Sequence, residues 1–217
     1  MPDRPPGVRD TYFQAMASTL IYGKRDAVLV DAYMTVKQAT ALADWVASLN
    51  RDLTTIYITH GHGDHWFGVG TLLERFPRAK AVATPKTIEV MRLNASPQFL
   101  HGAWERGFPG QIPEHLVMAE ELDGNVISLE GHDLIVVELG HTDTDHTTCL
   151  QAPPKPSSQR IRSSTENFLR ADKLKSGRRR SLHRKAYAAF GGPRAGRRPL
   201  CGPRANGGIS GMGTGLR

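Results

Sequence analysis

A short run with three histidines and one aspartate, HGHGDH at positions 60–65, constrains this 217-residue chain more than any other feature. The run follows residues 55–59, which are β-branched or aromatic throughout and typical of a strand buried on both faces. Its glycines remove Cβ bulk and let the backbone coil closely around an ion. Imidazole nitrogens and carboxylates are metal donors, so the run predicts a metal-binding loop. The predicted donors are His60 and His62 for one ion, and Asp64 and His65 for a second.

An ion held by two histidines needs a third protein ligand and an open position for water. His141 is the best candidate, because it follows the apolar residues 134–139 and is flanked by Gly140. His132 is a weaker candidate, because it falls in a predicted hairpin turn. His146 is near enough in sequence to contribute as well.

Hydrophobic periodicity predicts alternating strands and helices from about residue 18 to residue 150. Residues 94–121 are rich in Pro, Gly and aromatics and are expected to form a long loop with a short helix near 99–106. Long loops of this kind often cover active sites. The predicted strands are 18–22, 27–31, 55–59, 80–83 and several within 125–139; the predicted helices are 35–49, from the histidine run to about 76, and 85–93.

The histidine run and Gly140-His141-Thr142, about 75 residues further on, together resemble the metallo-β-lactamase superfamily. The wider agreement covers residues 18–150 and includes Leu29-Val30-Asp31 before the first long helix. The resemblance implies an α/β fold, the αββα sandwich, with two zinc sites at one sheet edge. It also implies a metal-dependent hydrolase in which zinc-activated water attacks an ester, thioester, lactone or amide-type bond.

By the same resemblance, the first zinc site consists of His60, His62 and His141, and the second begins with Asp64 and His65. Asp64 is the predicted catalytic residue, since its carboxylate can orient or deprotonate water besides serving as a ligand. Asp31 is predicted to lie behind the ligands and to hold a histidine by its other ring nitrogen. A turn residue that caps the following segment is an equally compatible interpretation of Asp31.

The family pattern does not continue beyond Leu150. It would include a Gly-Asp pair after a strand and a late Gly-His pair, and neither dipeptide occurs in residues 151–217. The net charge also reverses, from −7 over residues 1–150 to +14 over residues 151–217, and the latter hold ten glycines and six prolines. We therefore hypothesise that the reading frame is lost near residue 150 and that the basic tail is disordered.

Three segments follow from these patterns: an N-terminal extension at 1–17, a metallo-β-lactamase-like domain at 18–150 that lacks the C-terminal part of the sandwich, and the tail at 151–217. We expect one or two zinc ions, of which only the ion at His60, His62 and His141 has three protein ligands. The alternative function is a catalytically impaired, truncated relative that binds one zinc or none.

Composition limits the partners and the location. The Arg runs of the tail lack interleaved aromatic residues, so a specific nucleic-acid partner is not expected and a small-molecule substrate is. No apolar stretch is long enough to span a membrane, and the N-terminus lacks a secretory pattern. Two cysteines, Cys149 and Cys201, form no disulfide framework, so a cytoplasmic location is expected. The oligomeric state stays open.

Overall fold

Two β-sheets form the framework of the protein. The computed structural model describes residues 16–153 and the backbone of residues 162–167. The strands are β1 (Ala17–Tyr22), β2 (Asp26–Val30), β3 (Asp52–Tyr57), β4 (Lys80–Ala83), β5 (Glu120–Glu121), β6 (Val126–Leu129), β7 (His132–Gly140), β8 (Thr147–Gln151) and β9 (Arg162–Asn167). One sheet has the order β5-β4-β3-β2-β1-β9, and the other has the order β6-β7-β8. In the larger sheet β2, β3, β4 and β5 are parallel, while β1 is antiparallel to both of its neighbours.

Helices connect the parallel strands. They are α1 (Val36–Ser48), α2 (Gly63–Trp66), α3 (Val69–Arg75), α4 (Pro85–Asn94), α5 (Pro97–Phe99), a π-helical turn at Leu100–Trp104, and α6 (Glu105–Gly107). The first helix begins at a capping box, in which the Thr35 hydroxyl and the Gln38 side chain each accept the other residue's backbone N–H. Its buried face, Ala39, Leu42, Ala43 and Val46, packs towards the larger sheet and α3.

The core consists of two clusters on opposite faces of the larger sheet. Leu29 and Ile56 belong to the cluster that the helices cover, together with Trp66 and Phe67 from the segment after the histidine run. Val28 and Tyr57 point to the other face and pack against Leu134 and its neighbours in the smaller sheet. This alternation explains why residues 27–30 of β2 and residues 56–57 of β3 are apolar on both faces of the sheet.

The described layers are therefore helices, larger sheet and smaller sheet, in that order. Val126 and Ile135 are cross-strand neighbours on the outer face of the smaller sheet, where they are 42% and 41% exposed. A fourth, helical layer that covers this face is not found in the described part of the chain. The α/β class and the layering agree with the predicted sandwich and with its incomplete C-terminal part.

A carboxylate joins the two sheets at one end. Glu130 and Gly131 form the two-residue turn between β6 and β7, with φ values of 50° and 80°, as in the left-handed turns that suit tight hairpins. The Glu130 carboxylate accepts the backbone N–H groups of Lys24, Arg25 and Asp26 in the β1–β2 turn, at 2.6–3.0 Å. These backbone hydrogen bonds lower the pKa of Glu130 to about 2.

The predicted elements between residues 18 and 150 are present, with ends shifted by a few residues. The first hairpin, the helix at 36–48 and the strand before the histidine run are confirmed. The short helix expected near 99–106 is an irregular sequence of α-helical and π-helical turns at 97–107. The strand β5, which pairs with β4 near the end of the long loop, was not predicted from the sequence, because two glutamates give no apolar signal.

The segment at 151–217 contributes one strand to the described structure, although its composition predicts none. β9 pairs antiparallel with β1 through six residue pairs. Pairing along a sheet edge uses backbone groups alone, so the polar sequence of β9 hides it from hydrophobic periodicity. The N-terminal extension before residue 16, the proposed frame loss and the rest of the tail lie outside the described residues. No helix among the described residues has the length and hydropathy needed to cross a membrane.

Candidate metal centre

The histidine run lies at the carboxyl end of β3, where the sheet meets α2 and α4. Gly61 lies so close to α4 that a Cβ atom there would be 2.5 Å from Val90 Cβ and 2.6 Å from the Met91 backbone nitrogen. The Gly61 carbonyl also accepts a hydrogen bond from the buried Trp66 indole, at 3.0 Å. The loop is therefore fixed against the core at Gly61, with His60 on one side of this contact and His62 on the other.

Two histidines of the run converge on one carboxylate oxygen. His60 Nε2 and His62 Nδ1 both lie 3.0 Å from Oδ2 of Asp143. One ligand atom from each of these three residues falls within 4.8 Å of the others. Among the described residues, these three form the cluster of His, Cys, Asp or Glu side chains that could hold a metal ion. Donors on one tetrahedral zinc ion are about 3.3 Å apart, given zinc–donor bonds of about 2.0–2.1 Å. Two imidazoles and a carboxylate at this spacing fit a zinc ion.

A hydroxyl hydrogen bond fixes the tautomer of His60. Thr59 Oγ1 lies 2.9 Å from Asp31 Oδ2 and 3.1 Å from His60 Nδ1. The Asp31 carboxylate can only accept, so the Thr59 hydroxyl donates to it, and the Thr59 oxygen accepts the proton on His60 Nδ1. Burial and the neighbouring His65 charge lower the pKa of His60, which keeps the ring neutral at pH 7. The lone pair on His60 Nε2 therefore faces Asp143, as a metal ligand requires.

The carboxylate of Asp143 is ionised in this setting. Partial burial raises its pKa, but the interactions with His62 and His60 outweigh that effect, so the pKa is lowered overall. An ionised carboxylate oxygen and the Nε2 lone pair of His60 are both suited to bind a metal ion, and they lie 3.0 Å apart.

Asp31 lies at the end of β2, with φ 63°, and faces the histidine run. It accepts the Thr59 backbone N–H at 2.9 Å and contacts His65 Nδ1 at 2.8 Å. Burial of the His65 ring disfavours its charge, but the charge of Asp31 and its hydrogen bond prevail and raise the pKa of His65 to about 9. Asp31 therefore lies behind His65 and contacts its Nδ1, and its role in orienting a metal ligand stays a prediction.

The predicted donors of the second ion lie beside the first group. The His65 ring is stacked obliquely on His60, with centroids 3.9 Å apart. Its Nε2 lies 3.8 Å from Oδ2 of Asp64, and both side chains are mostly buried, at 19% and 16% exposure. Asp64 and His65 therefore lie beside His60, although they fall outside the three-residue group.

His141, the predicted third ligand of the first ion, is not brought into the group. Its Nδ1 contacts Asp145 Oδ1 at 2.6 Å, and both side chains are about four-fifths exposed. The physical reason is local: Gly140 has φ 71° and turns the chain, so that Asp143 rather than His141 reaches the histidine run. The ligand role of His141 stays a prediction, and Asp143 is the residue that sequence reasoning missed. The sequence feature that could have indicated Asp143 is a carboxylate in the same polar turn, two residues after His141.

Threonines hold the Asp143 turn in place. Thr148, at the start of β8, donates its hydroxyl to the Thr59 carbonyl at 2.7 Å, and its backbone N–H reaches the same oxygen at 3.0 Å. The buried Tyr57 hydroxyl lies 2.6 Å from the Thr148 hydroxyl. These hydrogen bonds join the chain at the end of β3 to the start of β8. Both segments lead directly to the loops that contain His60 and Asp143.

Comparison with known proteins shows which family and which solved structures the chain resembles. The family model of the metallo-beta-lactamase superfamily matches residues 15–153. A hydroxyacylglutathione hydrolase of Francisella tularensis subsp. novicida (strain U112) is 38% identical over 64 residues, 30% of this chain and 24% of that protein. The same enzyme of subsp. holarctica (strain LVS) gives the same values.

Solved structures match in fold. Metallo-beta-lactamase SMB-1 bound to 2-mercaptoethanesulfonate superposes with a TM-score of 0.51 at 18% identity, over 71% of this chain and 57% of that one. A B3 metallo-beta-lactamase with an active-site glutamic acid gives 0.51 at 20%, over 70% and 56%. The chain spans about a quarter of the length of the curated relatives and just over half of these structures. Its match to the family model covers well over half of the chain, and it belongs to the metallo-beta-lactamase superfamily.

Proposed function

We propose that this protein is a zinc-dependent hydrolase that acts on a small-molecule thioester or ester. The observation that carries the proposal is the convergence of His60 and His62 on Asp143, in an arrangement that fits a metal ion. Among the bond types open to this superfamily, the curated relatives favour an acyl-glutathione, in which an acyl group on the thiol forms a thioester. Lactone and amide-type bonds are the other classes to be tested.

The proposed ligands of the ion are His60 Nε2, His62 Nδ1 and an Asp143 oxygen. A zinc ion bound there would supply a Lewis acid and would lower the pKa of water to about 7. Neutral His60 and ionised Asp143 need no proton change before they bind the ion.

The remaining residues of the proposed site are Asp64, His65 and Asp31. Asp64 is the proposed catalytic residue, whose carboxylate orients water or accepts its proton. It lies beside His65, which Asp31 holds in place from behind. The Asp31 carboxylate can only accept, so His65 carries a proton on Nδ1 while its Nε2 faces Asp64.

The test combines metal analysis with a substrate panel. The full chain is purified, its zinc content is measured by elemental analysis, and turnover is assayed on a hydroxyacyl-glutathione, a simple ester, a lactone and a β-lactam. We expect about one zinc per chain and the highest kcat/KM on the thioester. Asp143→Asn should lower turnover at least 100-fold and should leave only a minor fraction of the zinc bound, because it removes one of three ligands.

The matched control is Asp145→Asn, the same change two residues away on an exposed side chain that contacts His141 rather than the histidine run. It should leave both readouts within about twofold of the unchanged protein. A chain that retains no zinc and hydrolyses none of the four substrates would overturn the proposal. That outcome would support the alternative of a catalytically impaired relative.

A further inference from the structure

A positively charged cleft lies at the end of the larger sheet opposite the histidine run. Asp52, the first residue of β3, lines the cleft, whereas the far end of that strand leads to His60. The cavity has a volume of about 460 Å³, within the range of sites that bind small molecules. No residue of the proposed hydrolytic site lines it.

Many of the Lys and Arg residues of the net negative region at 16–150 line this cleft. Its walls carry five cationic side chains and one carboxylate: Lys24, Arg25, Arg51, Arg75, Arg78 and Asp52. Residues 16–150 contain only ten Lys and Arg in all, against seventeen Asp and Glu. Half of the positive charges of a net negative region therefore surround one concavity. Such a grouping focuses positive potential on the cleft and is not explained by general basicity.

Arg51 is held in a fixed position within this wall. Its Nε donates to the Gly23 carbonyl at 3.2 Å, and one terminal nitrogen donates to the Asn50 carbonyl at 2.8 Å. The guanidinium also lies over the Tyr22 ring, with 5.6 Å between Cζ and the ring centroid. These contacts use two of its five N–H donors, which leaves the other donors of an ordered guanidinium for a ligand.

The turn that carries Lys24 and Arg25 is anchored from two sides. Glu130 of the smaller sheet accepts the backbone N–H groups of both residues, at 3.0 and 2.6 Å. On the other side, the Arg25 carbonyl accepts the backbone N–H of Asp52 at 2.7 Å. The two cationic side chains therefore extend from a fixed backbone, and less conformational entropy is lost when they bind a ligand.

The positive charge of the cleft is only partly balanced by neighbouring carboxylates. Arg78 pairs with Asp52 at 2.8 Å, and Arg25 approaches Asp26 at 4.0 Å. For Lys24 and Arg75, the described part of the chain shows no ion-pair partner. A ligand with several negative charges would supply the missing counter-charge.

We propose that this cleft binds a small molecule with two or more phosphate groups, such as a nucleoside diphosphate or pyrophosphate. The planar forks of arginine match phosphate oxygens in paired hydrogen bonds, and four of the five cations are arginines. The cavity volume of about 460 Å³ suits a small ligand. The aromatic residues beside it, Tyr22 and Phe76, are partly buried and offer no open row of stacking faces.

The test measures binding to the full chain after removal of metal, in a buffer free of divalent ions. Calorimetric titrations use pyrophosphate and ADP, with citrate as a carboxylate ligand of similar charge. Both phosphate ligands should bind, and citrate should bind at least tenfold more weakly. Arg75→Gln and Lys24→Gln should each weaken ADP binding about tenfold, since each removes one charged contact.

The matched control is Arg92→Gln, which removes an exposed cation on α4 that does not line the cleft. It should leave the affinity for ADP unchanged. Because all variants keep the other cationic residues of the chain, binding of ADP to those residues does not differ between variants. Equal losses in all three variants, no loss in any, or equal affinity for citrate would overturn the proposal. So would tighter binding of a single-stranded oligonucleotide that the same variants weaken. Thermal unfolding of each variant checks that the fold is retained. None of these readouts depends on hydrolysis.

Discussion

Thr59 Oγ1 and His60 Nδ1 lie 3.1 Å apart, and this contact orients His60 so that its Nε2 faces Asp143. Because the hydroxyl donates to Asp31, its oxygen accepts from His60 Nδ1 and keeps the lone pair on Nε2. The residue directly before the histidine run thus acts on a proposed metal ligand through a single hydrogen bond.

Thr59→Val should therefore weaken zinc binding without removing a ligand. The change keeps the side-chain shape, deletes the hydroxyl and leaves His60 free to adopt the other tautomer. We expect the zinc dissociation constant to rise about tenfold to 100-fold, as found when groups behind a ligand are lost. A competition assay with a chromogenic chelator measures it. Thr59→Ser, which restores the hydroxyl, should recover most of the affinity; equal loss in both variants would contradict the role of the hydrogen bond.

The fold could largely be predicted from the sequence because its signals are local. Apolar residues at intervals of three and four predict α1, and the β-branched run before His60 predicts the strand that carries the loop. The strands β5 and β9 could not be predicted, since their pairing is a property of the backbone and their side chains are polar. Hydrophobic periodicity indicates which residues are buried. It does not indicate which strands pair at the edge of a sheet through backbone hydrogen bonds.

The candidate site shows the same division. His60 and His62 share one short turn, so their spacing alone predicts that they converge. The third candidate donor comes from a distant part of the chain, and the backbone of its turn determines which side chain reaches the two histidines. In the structure that selection favours Asp143, while His141 pairs with Asp145. Which of several neighbouring polar residues in a turn faces the site depends on the φ and ψ angles of the turn, and residue types alone do not determine these angles.

His141→Ala tests the two candidate third ligands against each other. If Asp143 is the ligand, as the geometry favours, loss of the exposed His141 ring should change zinc content by less than about twofold, which is typical of a surface substitution. The measurement is elemental analysis of the purified variant beside Asp143→Asn. A loss of zinc in His141→Ala with full occupancy in Asp143→Asn would instead assign the third position to His141, in line with the resemblance.

Glu130 should make stability depend on pH in the acidic range. Its pKa is lowered from 4.5 to about 2 in the folded protein, so its contribution is complete above the unfolded value near 4.5 and is lost as the pH falls towards 2. Glu130→Gln should lower the free energy of unfolding at pH 6 by about 1 kcal/mol, after allowance for solvent screening of an accessible carboxylate. Urea unfolding at pH 6 and pH 3.5 measures the difference between the two proteins, which should shrink at the lower pH. Glu89→Gln, an exposed glutamate of α4, is the control and should show no such difference.

Gly61→Ala should disrupt the metal site more than the fold. A Cβ atom at this position would meet Val90 Cβ at 2.5 Å, the Met91 backbone nitrogen at 2.6 Å and the Thr87 carbonyl at 2.7 Å. Two of these atoms belong to the backbone of α4, so no side-chain rotation relieves the clash. The loop itself must move away from the helix, and both flanking histidines move with it.

We expect Gly61→Ala to lower zinc affinity at least tenfold and to destabilise the protein by about 1–3 kcal/mol, the usual cost of overpacking. Zinc competition and urea unfolding measure the two effects separately. Gly102→Ala is the control, because a Cβ atom there meets nothing within 4 Å. If Gly61→Ala bound zinc as tightly as Gly102→Ala, the contact with α4 would not be what holds His60 and His62 towards Asp143.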